Sequence, residues 1–248
     1  MRIILVGVFL VLFAIISLPL YLVAWLLGKK DERLQVAFSQ KIVKVAFRII
    51  FILAGARIEC KGRENVPKDE AVLYIANHRS YCDILAGYIT TPTLTGFVSK
   101  DDLKKVPCVS RWMRFLKCLF LNRENPREGM QTILTGIEQM KQGYSVFIMP
   151  EGTRNRQKEL VPLLPFRDGS FKLSTKTGCA IVPVAMKNTE KVIRHHFAWF
   201  SPTKVSVVYG EPIYPKDLTA EEKRHMGAYM QKKVEEMLEN IDLSLIHI

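Results

Sequence analysis

The sequence predicts an α/β domain, a mixed sheet flanked by helices, preceded by an N-terminal hydrophobic two-helix membrane anchor. Three observations lead there. Short apolar runs such as Ala71–Ala76 (AVLYIA) and Ser145–Met149 (SVFIM) alternate with longer segments of helical period, the pattern of strands joined by helices that pack on the sheet. No charged residue lies between Ile3 and Leu27. Polar, chemically capable residues gather directly after the strands, where α/β sheets collect their sites.

The first segment, Ile3 to Leu27, spans roughly 37 Å as a helix, more than a bilayer core needs. It is too long for a signal peptide, and no A-x-A cleavage site follows. Pro19 removes a backbone donor and predicts a kink or break. Arg2 precedes the run, whereas Lys29, Lys30 and Arg33 follow it. That heavier charge on the C-terminal side predicts a chain at the cell membrane with its main domain on the cytoplasmic side. In the second segment, Leu34 to Ala54, Lys41, Lys44 and Arg48 fall on one helical stripe of an otherwise apolar helix. Such a stripe predicts an interfacial helix among anionic headgroups. The pair reads either as a spanning helix plus an interfacial one or as a two-helix anchor in one leaflet, together covering residues 1–55.

Beyond it, Arg57–Lys61 and Ala71–Ala76 read as strands and Asp83–Ile89 as a helix. Thr95–Ser99 is a short strand, Val109–Leu116 a helix and Cys118–Leu121 a strand. Pro126–Lys141 is a helix with proline in its first turn and Gly143 just past its end. Ser145–Met149 is a buried strand followed by a long loop, and Gly169–Thr177 a helix stopped by Gly178. Ala180–Val184 and Lys204–Val208 are strands. Thr219–Asn240 is a polar helix opened by Thr219 and Glu222 at capping-box spacing. These elements form a domain over 56–242. The apolar tail 243–248 resembles a translated transposase adapter and is expected to be non-native.

Composition narrows the function. The chain has 248 residues and a net charge of +12, which calls for an anionic partner: nucleic acid, an anionic membrane or a phosphorylated substrate. Nucleic acid is set aside, because no recognition motif accompanies the charge. The five cysteines, Cys60, Cys82, Cys108, Cys118 and Cys179, form no CxxC pair and read as reduced, mostly buried thiols. No metal is expected, since His195 and His196 are adjacent and lack partners at ligand spacing.

Three loops carry the chemistry. Asn77, His78, Ser80 and Asp83 follow the AVLYIA strand. His78 and Asp83 are five residues apart and would diverge by about 140° on one helix. They pair only if His78 lies in the loop and Asp83 in the next helix's first turn. A carboxylate on one imidazole nitrogen fixes the tautomer and frees the other to take a proton. Pro150, Glu151, Gly152, Thr153 and Arg154 follow SVFIM. There Gly152 permits close backbone approach, and Thr153 and Arg154 offer a hydroxyl and a guanidinium fork suited to phosphate. Arg123 follows the strand that contains Phe120, within a field of lysines and arginines, and reads either as a second phosphate ligand or as a solvated charge.

These blocks resemble those of the glycerolipid acyltransferases, and among them the bacterial 1-acylglycerol-3-phosphate O-acyltransferases. The N-H-x-S-x-x-D block is matched by Asn77, His78, Ser80 and Asp83, and G-x-x-F-I-x-R by Phe120 and Arg123. F-P-E-G-T-R is matched by Pro150 to Arg154, and the V-P-V strand end by Val182, Pro183 and Val184. The resemblance covers about Cys60 to Tyr214. Lys117 stands where the second block has Gly, and Met149 where the third has Phe. The resemblance implies a glycerol-3-phosphate acyltransferase-like fold. It implies acyl transfer to the sn-2 hydroxyl of lysophosphatidic acid, with acyl-CoA or acyl carrier protein as co-substrate and no cofactor. His78 would be the general base and Asp83 its orienting partner. Arg123, Glu151, Gly152, Thr153 and Arg154 would hold the acceptor's phosphate, and Lys100 or backbone donors the oxyanion or the donor. Glycerol 3-phosphate or another lysolipid is the alternative acceptor. A non-catalytic lipid-binding module is the alternative class, disfavoured because a pure binder needs no base.

Overall fold

The computed structural model describes residues 1–194 and 199–246, without side-chain detail for 194, 199 and 242–246. His195, His196, His247 and Ile248 lie outside the described residues, so the reading of the two adjacent histidines and of the tail's end is not addressed by them.

Two long helices open the chain, α1 (Arg2–Lys30) and α2 (Glu32–Ala54). Asp31 separates them and accepts from the Arg33 N–H, a side-chain N-cap for α2. Gly55 closes α2 in the left-handed conformation. α1 runs unbroken through Pro19, against the expected break. The turns on either side of the proline are docked: Ser17 accepts from the Trp112 indole at 3.0 Å, and the Tyr21 hydroxyl donates to the Cys108 carbonyl at 2.9 Å. α1 is long and apolar enough to cross a membrane, and only 11% of its most apolar window is buried.

α2 differs from the stripe expected of it. Lys44 donates to the Thr91 carbonyl, and Gln40 brackets the same loop through the Thr93 carbonyl and the Thr95 N–H. Burial lowers the Lys44 ammonium to about 8. Of the three basic residues on that stripe, Lys41 and Arg48 are exposed and Lys44 is a bolt between helix and domain.

The strands are β1 (Ala56–Lys61), β2 (Leu73–Ala76), β3 (Thr95–Lys100), β4 (Leu119–Leu121), β5 (Ser145–Ile148), β6 (Ile181–Lys187) and β9 (Thr203–Tyr209). A two-stranded ribbon, β7 (Ile193–Arg194) with β8 (Trp199–Phe200), stands apart. The sheet order is β1-β9-β6-β2-β5-β3-β4, parallel except where β6 meets β9, so the sheet is mixed. Helices α3 (Cys82–Thr90), α4 (Pro107–Phe115), α5 (Pro126–Lys141), α6 (Lys172–Thr177), α7 (Thr189–Val192), α8 (Ala220–Arg224) and α9 (Met226–Ile246) complete the fold.

Strand alternation sorts the two faces. Val72, Tyr74 and Ala76 pack with Phe147, Tyr88, Trp112 and Phe51 under α2, α3 and α4. Leu73 and Ile75 pack with Ile137, Leu173, Met230 and Val234 under α5, α6 and α9. Both faces of β2 and β5 are therefore covered, which is why AVLYIA and SVFIM read as continuous apolar runs. The chain leaves β2 through α3 toward β3, and leaves β5 through α6 toward β6 on the far side of β2. That reversal opens a crevice at the C-terminal ends of β2 and β5.

Two helices differ from expectation. The segment from Gly169 begins as a 3₁₀ turn, Asp168–Phe171, before α6. The last helix breaks at His225: the Thr219–Glu222 capping box opens the short α8, and α9 starts afresh. The five cysteines are free, though only Cys82 and Cys118 are buried and Cys60 is exposed.

Candidate active site

His78 leaves β2 in the loop, and Asp83 sits in the first turn of α3. Their side chains meet with Nδ1 2.8 Å from Oδ2. Asp83 is fully buried, whereas the His78 side chain is 17% exposed. The same Oδ2 accepts the N–H groups of Arg79 at 2.7 Å and Ser80 at 2.8 Å. That oxygen sits in a nest of backbone donors at a helix N-terminus. A neutral His78 that donates to it from Nδ1 presents Nε2 to the cavity that His78 lines. Ser80 contributes a turn, its hydroxyl accepting from the Cys82 N–H. Asn77 ties the loop down by exchanging two hydrogen bonds of 2.8 Å with the Met186 backbone on β6.

The Pro150–Arg154 loop leaves β5 beside it. Glu151 departs from the role expected of it. Its residue is 3% exposed. One oxygen accepts from the His78 backbone N–H at 2.5 Å and the other from the Leu164 N–H at 3.1 Å. Both oxygens are taken up by backbone N–H groups, so Glu151 braces the two loops, and it is not among the residues that line the cavity. Burial raises its pKa to about 7 against the pull of the two N–H donors. Gly152 has φ of 72°, and its carbonyl accepts from the Arg123 guanidinium. Pro150 accepts from the Arg167 N–H at 3.1 Å. The Asn155 N–H donates to the His78 carbonyl at 2.7 Å, so both backbone groups of His78 are held by the Glu151 loop.

The cavity between these loops encloses about 330 Å³. His78, Lys100, Arg123, Thr153 and Arg154 line it, with Gly152 and Pro150 at its wall. Its apolar side is formed by Ile84, Val98, Leu103, Leu121 and Met149. Arg154 stacks over the Tyr81 ring with its guanidinium carbon 4.1 Å from the centroid. Lys100 pairs with Asp102 at 2.5 Å, which raises its pKa. Phe120 stays on β4 beside Lys104, and Pro183 sits within β6 opposite Ile75, its carbonyl accepting from Gly210. Neither lines the cavity. Among the described residues no cluster of three or more His, Cys, Asp or Glu forms a metal site.

Sequence reasoning passed over three residues here. Tyr81 lay inside the first block as an unassigned position. Arg79 is buried and donates to the Glu159 carbonyl at 2.8 Å, strapping the long loop after β5 onto the His78 loop. Arg167 lies thirteen positions beyond Arg154 and lines the same cavity. The glycine of the second block also has an explanation: at that position Lys117 has φ of 59°, a conformation suited to glycine. Its ammonium pairs with Glu32 and lies 5.5 Å from the Tyr144 ring centroid.

Known proteins share this sequence and fold. The Acyltransferase family model matches residues 57–187. The 1-acyl-sn-glycerol-3-phosphate acyltransferase of Saccharomyces cerevisiae is 30% identical over 197 residues, covering 79% of this chain and 63% of that protein. The chain thus spans less than two thirds of the yeast relative's length. The enzyme of the same name from Borreliella burgdorferi is 28% identical over 202 residues, covering 82% and 80%. The crystal structure of the 1-acyl-sn-glycerophosphate (LPA) acyltransferase PlsC from Thermotoga maritima superposes with a TM-score of 0.73 at 25% identity, covering 97% of this chain and 98% of that one.

Proposed function

We propose, from the premise that this chain belongs to the Acyltransferase family, that it transfers an acyl chain from a thioester to the sn-2 hydroxyl of 1-acylglycerol 3-phosphate, giving phosphatidic acid. The observation that carries the proposal is a histidine oriented by a buried carboxylate at 2.8 Å in a cavity lined by arginines. A base beside an anion pocket suits a substrate that carries both a hydroxyl and a phosphate.

His78 Nε2 takes the proton of the acceptor hydroxyl as the oxygen attacks the thioester carbonyl. Asp83 stabilises the imidazolium that results. The tetrahedral oxyanion is met by donors lining the cavity, Lys100 among them, and collapses to the ester. The thiolate leaves and receives the proton from His78. Every proton is accounted for by one imidazole, and no acyl-enzyme forms. General base catalysis contributes about 10²–10⁴-fold, the remainder coming from positioning and charge stabilisation. Arg123 and Arg154 hold the acceptor's phosphate, and the cavity's apolar side receives the start of an acyl chain. The donor is acyl-CoA or acyl carrier protein, and the mechanism needs no group besides the two substrates. The enzyme works at a membrane with anionic lipids, its catalytic domain toward the cytoplasm, a reading supported by the apolar surface of α1 and by Lys29, Lys30 and Arg33 at and beyond its C-terminal end. Residues 1–55 act as the anchor and 56–242 as the catalytic unit.

The test is transfer of a radiolabelled acyl chain to lysophosphatidic acid by the purified protein. His78→Ala abolishes turnover while folding and membrane association persist. Substantial retained turnover would overturn the proposal.

A further inference from the structure

We infer that Arg167 is the third cation of the anion pocket and the residue that makes it prefer a phosphate monoester to a phosphodiester. The inference rests on the acyl-transfer reading above and adds a residue and a selectivity to it.

Arg123, Arg154 and Arg167 converge on one cavity from three separate segments. Gly152 is the point where two of them meet. Its carbonyl accepts from Arg123, and a Cβ built on it would stand 2.9 Å from Arg167 Nε. The Arg167 side chain therefore lies close to the bare Cα of Gly152.

None of the three guanidiniums forms an ion pair among the described residues. Four acids near the cavity are engaged elsewhere: Asp83 with His78, Asp102 with Lys100, Glu151 with two backbone N–H groups, and Asp168 with the Gly227 N–H. Like charge from Arg167, after burial, lowers the Arg123 pKa. Guanidiniums held together without a counter-ion form a site whose missing component is an anion.

The number of arms sets the preference. A phosphate monoester presents three free oxygens and a charge near −2 at neutral pH. A diester presents two free oxygens and a single charge. Arg123 and Arg154 suffice for a diester, and Arg167 has an oxygen to bind only in the monoester.

The experiment compares wild type with Arg167→Gln, Arg167→Lys and Arg154→Ala. KM and kcat are measured for lysophosphatidic acid, lysophosphatidylglycerol and an acyl-CoA donor in mixed micelles. Arg167→Gln raises the KM for lysophosphatidic acid about tenfold, with kcat and the donor KM within about twofold. Its monoester-to-diester ratio of kcat/KM falls by a similar factor. Arg167→Lys recovers part of the loss, because it restores charge without the fork. Arg167 is exposed at the cavity, and an unchanged thermal midpoint confirms folding. A lysophosphatidic acid KM within twofold in Arg167→Gln overturns the inference, as does a rise in donor KM in its place. If Arg154→Ala raises the acceptor KM and Arg167→Gln does not, this inference fails alone. If Arg154→Ala leaves it unchanged, or wild type does not acylate lysophosphatidic acid, the parent reading fails and this one with it.

Discussion

Replacing Glu151 with glutamine separates a residue that braces the base from one that binds substrate. In the folded protein the two carboxylate oxygens accept the His78 and Leu164 N–H groups at 2.5 and 3.1 Å. Glutamine offers one acceptor and one donor, so one of those N–H groups faces an NH₂. Losing that charge-assisted bond and stranding its donor costs about 2–4 kcal/mol. Against this stands the cost of burying the charge. With its pKa raised from 4.5 to about 7, keeping Glu151 ionised at pH 8 costs about 3 kcal/mol. The two effects oppose, and Glu151→Gln at pH 8 stays within about 2 kcal/mol of wild type, roughly 4–8 °C in Tm. Catalysis has no such compensation, because losing either bond loosens the brace that joins the His78 loop to the segment at Leu164. A shift of about 1 Å in the base costs on the order of 100-fold. Turnover in the variant therefore falls by about one to two orders of magnitude, while both KM values stay within about threefold. Stability adds a second readout. A raised folded-state pKa means the folded protein holds the extra proton between pH 4.5 and about 7. This group's stabilisation is thus full below pH 4.5 and lost as pH rises through 7, and the variant lacks that slope. Undiminished turnover with a tenfold higher acceptor KM would refute the argument and return Glu151 to the phosphate.

Two further substitutions test contacts at the edges of the site. Tyr81 is 59% exposed, and its ring carries Arg154. An exposed cation–π contact is worth about 0.5–1 kcal/mol, so Tyr81→Leu raises the acceptor KM about two- to fivefold and Tyr81→Phe restores it; equal effects of the two would show that the hydroxyl, not the ring, matters. At Lys117 the left-handed backbone costs about 1–2 kcal/mol for a residue with a Cβ, against an ion pair with Glu32 worth about 0.2–1. Lys117→Gly is therefore neutral to stabilising by up to about 1 kcal/mol in thermal or urea unfolding, and a loss above about 2 kcal/mol would mean that the bond to α2 outweighs the strain.

What the sequence made legible follows from the range of the interactions involved. The strands under both helical layers were readable because burial on two faces leaves long apolar runs, as in AVLYIA and SVFIM. The His78–Asp83 pair was readable because its partners are five residues apart, and the strand-to-helix turn between them admits one useful arrangement. The bracing contacts of Glu151 are hidden from the sequence for a reason of the same kind. Adjacent residues in one motif suggest one task, yet successive side chains of a tight turn point apart, and Glu151 turns inward while Arg154 turns into the cavity. Lys44 shows the limit of periodicity: its place on a basic stripe is correct, but what the stripe faces depends on the loop at Thr91, nearly fifty residues away. Arg167 belongs to a third case, because it sits beyond a long irregular loop where neither spacing nor period carries information. One local signal did point to it. Gly152 has a positive φ that explains a glycine by itself, and the Arg167 side chain comes close to its bare Cα. A glycine inside a reactive loop therefore marks a place that the backbone must bend and also a place that another side chain must reach, and only the fold tells which side chain that is.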